Sequence, residues 1–355
     1  MSKSKCQIKP QSFHFQWHIT ERCNLRCKHC YLNSKFIKEE LPYRDLLKIF
    51  KKYIAQMKIW GLNRNKARIT FMGGEPFVRK DFFDLLQEAY SYRQTTKYGL
   101  STNGILINQD IAQKLKALKV DYVQVSLEGR EKINDFIRGR GVFKKAVKAL
   151  KTLTKAGLET SISMTVTRIN IKEVPYVIKL TENLGVDGIG IRRFVPIGGG
   201  RQIKKFLLNP LEIKKLYLSL LTVRAKAKIG ISLGCEDGIL AQEPLYFPKG
   251  CSAGYLSFTV LPNGDIYPCR RLPIYSGNLL KQSFKEIYNS KVFQKLRDVN
   301  NINNTCKNCP YFAYCRGGAK CQSYAYFGNP FAPDYQCWRI FENLPNTSQL
   351  IHART

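Results

Sequence analysis

From residue 13 the chain alternates. Phe13, Phe15, Trp17 and Ile19 fall on one face and His14, Gln16, His18 and Thr20 on the other, the period of a strand with one buried side. Residues 43–60 repeat apolar positions at helical spacing, and residues 67–72 read as a second strand. The two periods keep alternating, with helices over 82–92, 111–118, 143–155 and 174–184 and strands over 97–101, 122–127, 159–166 and 188–194. A last helix over 210–228 makes six strands with six helices. Strands alternating with helices of this length form a parallel sheet through right-handed crossovers, so the fold class is α/β, a partial (βα)6 TIM-like barrel.

Several strands carry one polar face: Ser101 with Asn103, Gln124 with Ser126 and Glu128, and Ser161 with Ser163, Thr165 and Thr167. A closed eight-stranded barrel fills its lumen with branched apolar side chains, so a polar lumen predicts an open, ligand-filled one. Active sites of such barrels lie at the carboxyl ends of the strands. There the chain places a cysteine loop after the first strand, Gly73-Gly74-Glu75-Pro76 after the second, then Asn103 and Glu128. Two glycines allow close backbone approach to a ligand, and the proline stops the strand. His14 and His18 read as barrel-lining structural groups, with Gln16 and His18 positioned to face substrate. Arg168, Arg192 and Arg193 sit near strand ends, where they either hold a carboxylate or make structural ion pairs. Gly198-Gly199-Gly200 reads as a flexible link out of the barrel, because no helix signature follows at once.

After residue 228 the rhythm stops. The 355 residues divide into an N-terminal extension (1–12), the barrel (13–228), a cysteine-rich domain (229–345) and a tail (346–355). No stretch approaches the roughly 18 uninterrupted apolar residues of a membrane span. The Lys-rich N-terminus lacks the apolar core of a secretory signal, so a cytoplasmic location is expected and no membrane partner. The formal charge of +32 invites a nucleic-acid partner. Its lysines are spread over helical faces, such as Lys144, Lys145, Lys148, Lys151 and Lys155, so that reading stays open without being favoured.

Twelve cysteines without a secretory signal argue for metal rather than disulfides. Apart from Cys6, which is treated as incidental, they form two groups. Cys23, Cys27 and Cys30, at spacings of x3 and x2, suit three irons of a cubane cluster, and with no fourth cysteine nearby one iron is left open. A fully thiolate-ligated cluster only passes electrons, so the open iron is the chemical point. The second group, Cys235, Cys251, Cys269, Cys306, Cys309, Cys315, Cys321 and Cys337, makes two sets of four. A zinc site on Cys306, Cys309, Cys315 and Cys321 is the alternative, and it leaves Cys251, Cys269 and Cys337 unexplained.

The three-cysteine loop, followed one helix later by Gly73-Gly74-Glu75-Pro76, resembles the radical S-adenosylmethionine (SAM) superfamily. The resemblance implies that SAM chelates the open iron and is cleaved reductively to a 5'-deoxyadenosyl radical. It implies that the Gly-Gly-Glu-Pro residues contact the SAM amino group, and that Ser101, Asn103, Ser126 and Glu128 stand where the family contacts the ribose or methionine part. Many relatives carry Asp at the Glu128 position. The run Cys251-x12-Gly264-x4-Cys269, Cys306-x2-Cys309-x5-Cys315-x5-Cys321 and Cys337, with its Pro262-Asn263-Gly264-Asp265 hairpin, resembles the SPASM extension. That implies two auxiliary 4Fe-4S clusters. Cys251, Cys269 and Cys321 would hold the first, with Cys235 a candidate to complete it, and Cys306, Cys309, Cys315 and Cys337 the second. The gap from Cys315 to Cys321 is five residues where the family usually has three.

The implied function is modification of a peptide or protein side chain by crosslink, thioether formation, oxidation or epimerisation, with flavodoxin or ferredoxin as reductant. Sulfatase maturation is disfavoured, because relatives of that type carry an acidic base directly after the second cysteine of the first auxiliary pair and here Arg270 and Arg271 follow Cys269. Only 22 residues precede Cys23, so a leader peptide is expected to bind the barrel edge or a separate protein. Action on RNA or a porphyrin is the alternative, and a plain electron carrier is disfavoured by the SAM-binding motifs.

Overall fold

The computed structural model describes residues 9–32, 39–233 and 250–343. Cys6 and Cys235 therefore lie outside the described residues. The barrel part runs β1 (Phe13–Thr20), α1 (Tyr43–Ile59), β2 (Ala67–Gly73), α2 (Phe82–Ser91), β3 (Lys97–Thr102), α3 (Gln109–Ala117), β4 (Tyr122–Ser126), α4 (Glu131–Arg138), α5 (Val142–Lys155), β5 (Thr160–Val166), α6 (Val174–Asn183), β6 (Gly188–Arg193), α7 (Pro210–Lys226) and β7 (Gly230–Ser232). Beyond it come β8 (Ser257–Val260), β9 (Ile266–Tyr267), α8 (Phe284–Tyr288), α9 (Lys291–Arg297), α10 (Asn304–Lys307), α11 (Phe312–Cys315), α12 (Lys320–Phe327) and α13 (Trp338–Asn343).

All these strands lie in one sheet, ordered β7-β6-β5-β4-β3-β2-β1-β8-β9 and parallel except for the β8–β9 hairpin. Among the described residues β7 and β9 end the sheet at opposite sides and do not pair with each other, so the barrel stays open. β1 pairs on both sides, with β2 and with β8, and its Phe13, Phe15, Trp17 and Ile19 are buried against α1 and α8. At about 1.5–3 kcal/mol for each large apolar side chain buried, this one strand face anchors the core.

Three elements depart from the sequence reading. β7, beyond the six expected strands and past residue 228, adds to β6 in parallel. α4, absent from the expected six helices, follows β4. It escapes a periodicity search because its inward face carries Asn134 and Arg138 beside Ile137, polar residues whose burial rests on hydrogen bonds. The Gly198–Gly200 stretch is no flexible link. It opens a 3-10 helix over Gly198–Phe206 that packs under the cysteine loop. Gly199 N–H donates to the Leu32 carbonyl at 2.9 Å and Gly200 N–H to the Cys30 carbonyl at 2.7 Å. A Cβ at Gly198 would stand 2.2 Å from the Tyr31 carbonyl oxygen, and its φ of +54° also demands glycine.

The cysteine-rich part is joined to the barrel through β8 and through a buried ion pair. Arg193, at the end of β6, gives two hydrogen bonds to Asp334, at 3.0 and 2.7 Å, with both side chains 1% exposed. Asp334 also accepts the Ala319 and Gln336 backbone N–H groups, and the Gln322 amide donates to the Phe194 carbonyl at 2.9 Å. Removing one member strands a buried charge, which costs about 3–5 kcal/mol, whereas an apolar pair of matched volume is close to neutral. Asp334→Ala is therefore expected to lose at least that much in denaturant unfolding, and Arg193→Met with Asp334→Leu to recover the part due to the stranded guanidinium, while the Ala319 and Gln336 N–H groups stay unpaired. A double variant no more stable than Asp334→Ala alone would contradict this account of the join.

Candidate active site

The loop after β1 is held from three sides. Beneath it, Gly74 N–H donates to the Thr20 carbonyl at 2.8 Å and Glu75 N–H to the Arg22 carbonyl at 2.9 Å. A Cβ at Gly73 would lie 2.0 Å from the Thr20 oxygen, and one at Gly74 2.1 Å from the Arg22 oxygen. The two glycines are thus required by the cysteine loop itself. From behind, α4 supports Cys27: Lys28 N–H donates to the Ile137 carbonyl at 2.9 Å, and an Arg138 Nη lies 3.8 Å from the Cys27 sulfur. The Gly199–Gly200 turn closes the third side.

Glu128 links these supports. One carboxylate oxygen takes the Arg138 guanidinium and the His29 ring at 3.1 Å, and the other accepts the Thr165 N–H at 2.8 Å. Burial alone would raise its pKa, but Arg138 and His29 outweigh burial and hold the carboxyl down at about 2. Glu75 is buried with no ion pair among the described residues, and desolvation pushes it up to about 7 against hydrogen bonds from Asn103 N–H, Thr102 Oγ1 and Phe77 N–H and the more distant charge of Arg138.

Over this frame opens a cavity of about 360 Å³, within the range of small-molecule sites. Cys23, Cys27 and Cys30 line it together with Gly73, Gly74, Ser101, Asn103 and Ser126. Gln124, Ser163 and Thr165 extend the polar wall. The Asn103 amide donates to Asn24 Oδ1 at 2.7 Å and stands 3.9 Å from the Cys23 sulfur. Glu75, Pro76 and Glu128 do not reach the cavity; their side chains brace it from within the fold. His14, Gln16 and His18 also lie off the lining: His14 bonds Thr70, Gln16 accepts from Thr259, and His18 meets the Tyr31 hydroxyl at 3.2 Å. Burial, helped by Arg68 and Arg270 for His14 and by Arg270 for His18, lowers both imidazoles to about 3 and keeps them neutral.

Of the three strand-end arginines, Arg168 pairs with Glu212 and Arg193 with Asp334, while Arg192 lines the cavity and donates to the Ser232 carbonyl at 2.7 Å. Sequence reasoning missed Arg138 and His29, which meet at Glu128, ten positions from the first and 99 from the second. It also missed that the β8–β9 hairpin delivers Arg270 and Arg271, straight after Cys269, into the same cavity. Arg270 donates to the Met72 sulfur at 3.5 Å and Arg271 to the Arg193 carbonyl at 3.2 Å.

Cys306, Cys309, Cys315 and Cys337 line a second, small pocket with Gly317, Gly318 and Asp334. Among the described residues, no three Cys, His, Asp or Glu side chains close to the dimensions of a single-ion site. Burial pushes thiols of both groups up, Cys30 and Cys337 to about 11 and Cys306 and Cys315 to about 12. These four thiols stay protonated at neutral pH without metal and release protons on taking up iron.

Three thiols and a polar wall at the carboxyl ends of an open parallel barrel, with a cysteine-rich module on its edge, define an iron–sulfur enzyme that works on a small-molecule cofactor. Two family models match this chain, the radical SAM superfamily over residues 17–181 and the SPASM iron-sulfur cluster-binding domain over residues 251–310. The mycofactocin maturase MftC of Mycolicibacterium smegmatis is 32% identical over 90% of this chain and 81% of its own length. The AdoMet-dependent heme synthase of Methanosarcina barkeri is 28% identical over 90% of this chain and 95% of its own. The solved structure of Streptococcus suis SuiB bound to S-adenosylmethionine superposes with a TM-score of 0.75 at 19% identity, covering 92% of this chain and 77% of that one, a likeness of fold. The chain belongs to the radical SAM enzymes with a SPASM extension. Its cofactors are accordingly a 4Fe-4S cluster, SAM and auxiliary iron–sulfur clusters, and the thiols present fit them, three on the large cavity and four on the small one.

The Glu128 shift has a definite sign. Its folded pKa lies below the ordinary 4.5, so folding gains from the ionised carboxylate above about 4.5, and that gain drains away as pH falls toward about 2. Glu128→Gln is expected to lower the stability of the metal-free protein at pH 7 and to flatten its loss of stability on acidification in anaerobic denaturant melts. An unchanged acid limb would contradict the assigned pairing.

Proposed function

We propose that this enzyme modifies a peptide or protein side chain. The observation that carries the reading is the 32% identity to a mycofactocin maturase across 90% of the chain. When bound, the cluster and SAM would supply, by one-electron reductive cleavage of SAM, a 5'-deoxyadenosyl radical able to abstract hydrogen from substrate. The protein's part is to hold the reacting groups in contact and exclude water. In this reading Cys23, Cys27 and Cys30 hold the catalytic cluster. Gly73, Gly74, Ser101, Asn103 and Ser126 cradle SAM, while Glu75, Pro76 and Glu128 brace that cradle. Cys251, Cys269 and Cys321 belong to one auxiliary set and Cys306, Cys309, Cys315 and Cys337 to the other, with residues 13–228 forming the catalytic unit and 229–345 the auxiliary one. Substrate enters against Arg192, Arg270 and Arg271, a wall suited to an anionic group. A flavodoxin or ferredoxin supplies the electron, and a reducing cytoplasm suits thiolate-bound clusters.

A second reading, action on a porphyrin, is favoured by the similarity to a heme synthase over 95% of that protein's length. Among the described residues no helix is long and apolar enough to cross a membrane. The test is anaerobic turnover with SAM and dithionite, offering a short peptide encoded beside the gene and, separately, an iron porphyrin. Deoxyadenosine release with a mass change on the peptide supports the first reading, and a mass change on the porphyrin alone overturns it. Cys27→Ala is expected to abolish deoxyadenosine release, and Cys315→Ala to retain it while losing product. Retained cleavage in Cys27→Ala would contradict the ligand assignment.

A further inference from the structure

α4 sorts its charges. Its acids turn toward α5: Asp135 accepts the Gly141 and Phe143 backbone N–H groups, and Glu131 pairs with Lys144 at 3.2 Å. Lys132 and Phe136, one helical turn apart on another face, are both exposed, the phenyl ring by 51%. That ring meets the cysteine loop, because Lys28 Nζ stands 3.3 Å from its centre. The loop and the end of α4 also touch at Leu25, whose Cδ2 would lie 3.9 Å from a Cβ on Gly139. Arg26, held by the Cys23 and Leu25 carbonyls at 2.8 and 2.9 Å, and Arg140, just past α4, are exposed as well. Among the described residues Arg26, Lys28, Lys132 and Arg140 make no ion pair. Scattered surface lysines are ordinary, but here cations gather beside an exposed aromatic ring while the acids of the same helix are spent elsewhere.

We propose that this face, the outer edge of the cysteine loop with α4, is the docking surface for a flavodoxin that delivers the electron to the catalytic cluster. The inference rests on the proposed reduction by an acidic carrier protein and names where that carrier sits. A flavodoxin matches the face in both respects: its surface is acidic, and its flavin presents an apolar ring edge to Phe136. The position suits electron transfer, which falls steeply with distance. Lys28 directly follows Cys27, and Phe136 lies two residues before Arg138, whose Nη is 3.8 Å from the Cys27 sulfur. The step balances without a proton or a broken bond: the anionic flavin hydroquinone becomes the neutral semiquinone and the cluster gains the electron. Docking here also leaves the substrate wall clear. Arg192 belongs to β6 and Arg270 follows β9, near the two ends of the sheet, whereas α4 follows β4, well inside it. A patch of this size fits a brief electron-transfer encounter, in which charge sets the association rate and its salt dependence.

The test uses the anaerobically reconstituted full chain in four forms: wild type, the reversed pair Lys132→Glu with Arg140→Glu, Phe136→Ala, and the charge-preserving pair Lys132→Arg with Arg140→Lys. Flavodoxin binding is read by isothermal titration calorimetry. SAM cleavage is read as deoxyadenosine release driven by flavodoxin hydroquinone or by dithionite, which needs no docking surface. The reversed pair is expected to bind flavodoxin about tenfold more weakly at low salt, with the difference shrinking as salt screens it. Phe136→Ala is expected to weaken binding at all salt concentrations. Dithionite-driven release should stay at the wild-type level in both, and the charge-preserving pair should bind as wild type does. If the reversed pair loses dithionite-driven release as well, Phe136→Ala decides by the same comparison. Wild-type binding in both the reversed pair and Phe136→Ala would overturn the proposal, as would a wild type that cleaves SAM with dithionite but neither binds flavodoxin nor takes electrons from it. Loss of poly(U) binding in the reversed pair with flavodoxin binding intact would overturn it too, assigning the patch to nucleic acid. A wild type inert even with dithionite would instead defeat the SAM-cleaving reading on which the proposal stands.

Discussion

A single buried carboxylate organises this active site. Glu128 is fully buried, so its charge persists only because Arg138 and His29 converge on one oxygen and the Thr165 N–H caps the other. Those partners come from the cysteine loop, from α4 and from β5. The contacts that keep Glu128 ionised are therefore the contacts that fix where Cys27 stands. Glu75 plays a complementary part, with its oxygens spent on the backbone and hydroxyl at the end of β3 rather than on the cavity. Glu75 and Glu128 shape the cavity from within the fold, and its surface is left to thiols, hydroxyls, amides, glycine backbone and the guanidinium groups of Arg192, Arg270 and Arg271.

The cysteine-rich module is an extension of the barrel sheet as much as a separate unit. β8 adds parallel to β1, and the hairpin turn at Gly264, whose φ of +83° suits glycine, sends the chain back toward the cavity through β9. Cys269, Arg270 and Arg271 arrive at the mouth as a result. The same pairing explains why β1 is so thoroughly apolar on its outer face: α1 and α8, one from each part of the chain, close over it.

Much of this was legible in the residue pattern. The alternation of strand and helix periods located β1 to β6 within a residue or two, since each is a long, locally encoded segment with one buried face. The three-cysteine loop, the glycine pair and the polar wall of Ser101, Asn103 and Ser126 were legible too, because their spacing places them at successive strand ends. What escaped depends on distant partners. α4 hides its inward face behind Asn134 and Arg138, which read as solvent-facing until Glu128 is seen beside them. Gly198–Gly200 looks like a hinge until the cysteine loop is laid across it. The β8–β1 pairing joins residues more than 200 positions apart, and no local pattern carries that information.

The most direct test of the account is iron, sulfide and zinc content with Mössbauer spectra on anaerobically reconstituted protein, comparing wild type with a triple alanine variant at Cys23, Cys27 and Cys30. The account predicts about twelve irons falling to about eight, one SAM-binding cluster lost and two auxiliary clusters of four irons kept. About four irons in the wild type, accompanied by zinc, would make the C-terminal cysteines a structural zinc site and contradict it.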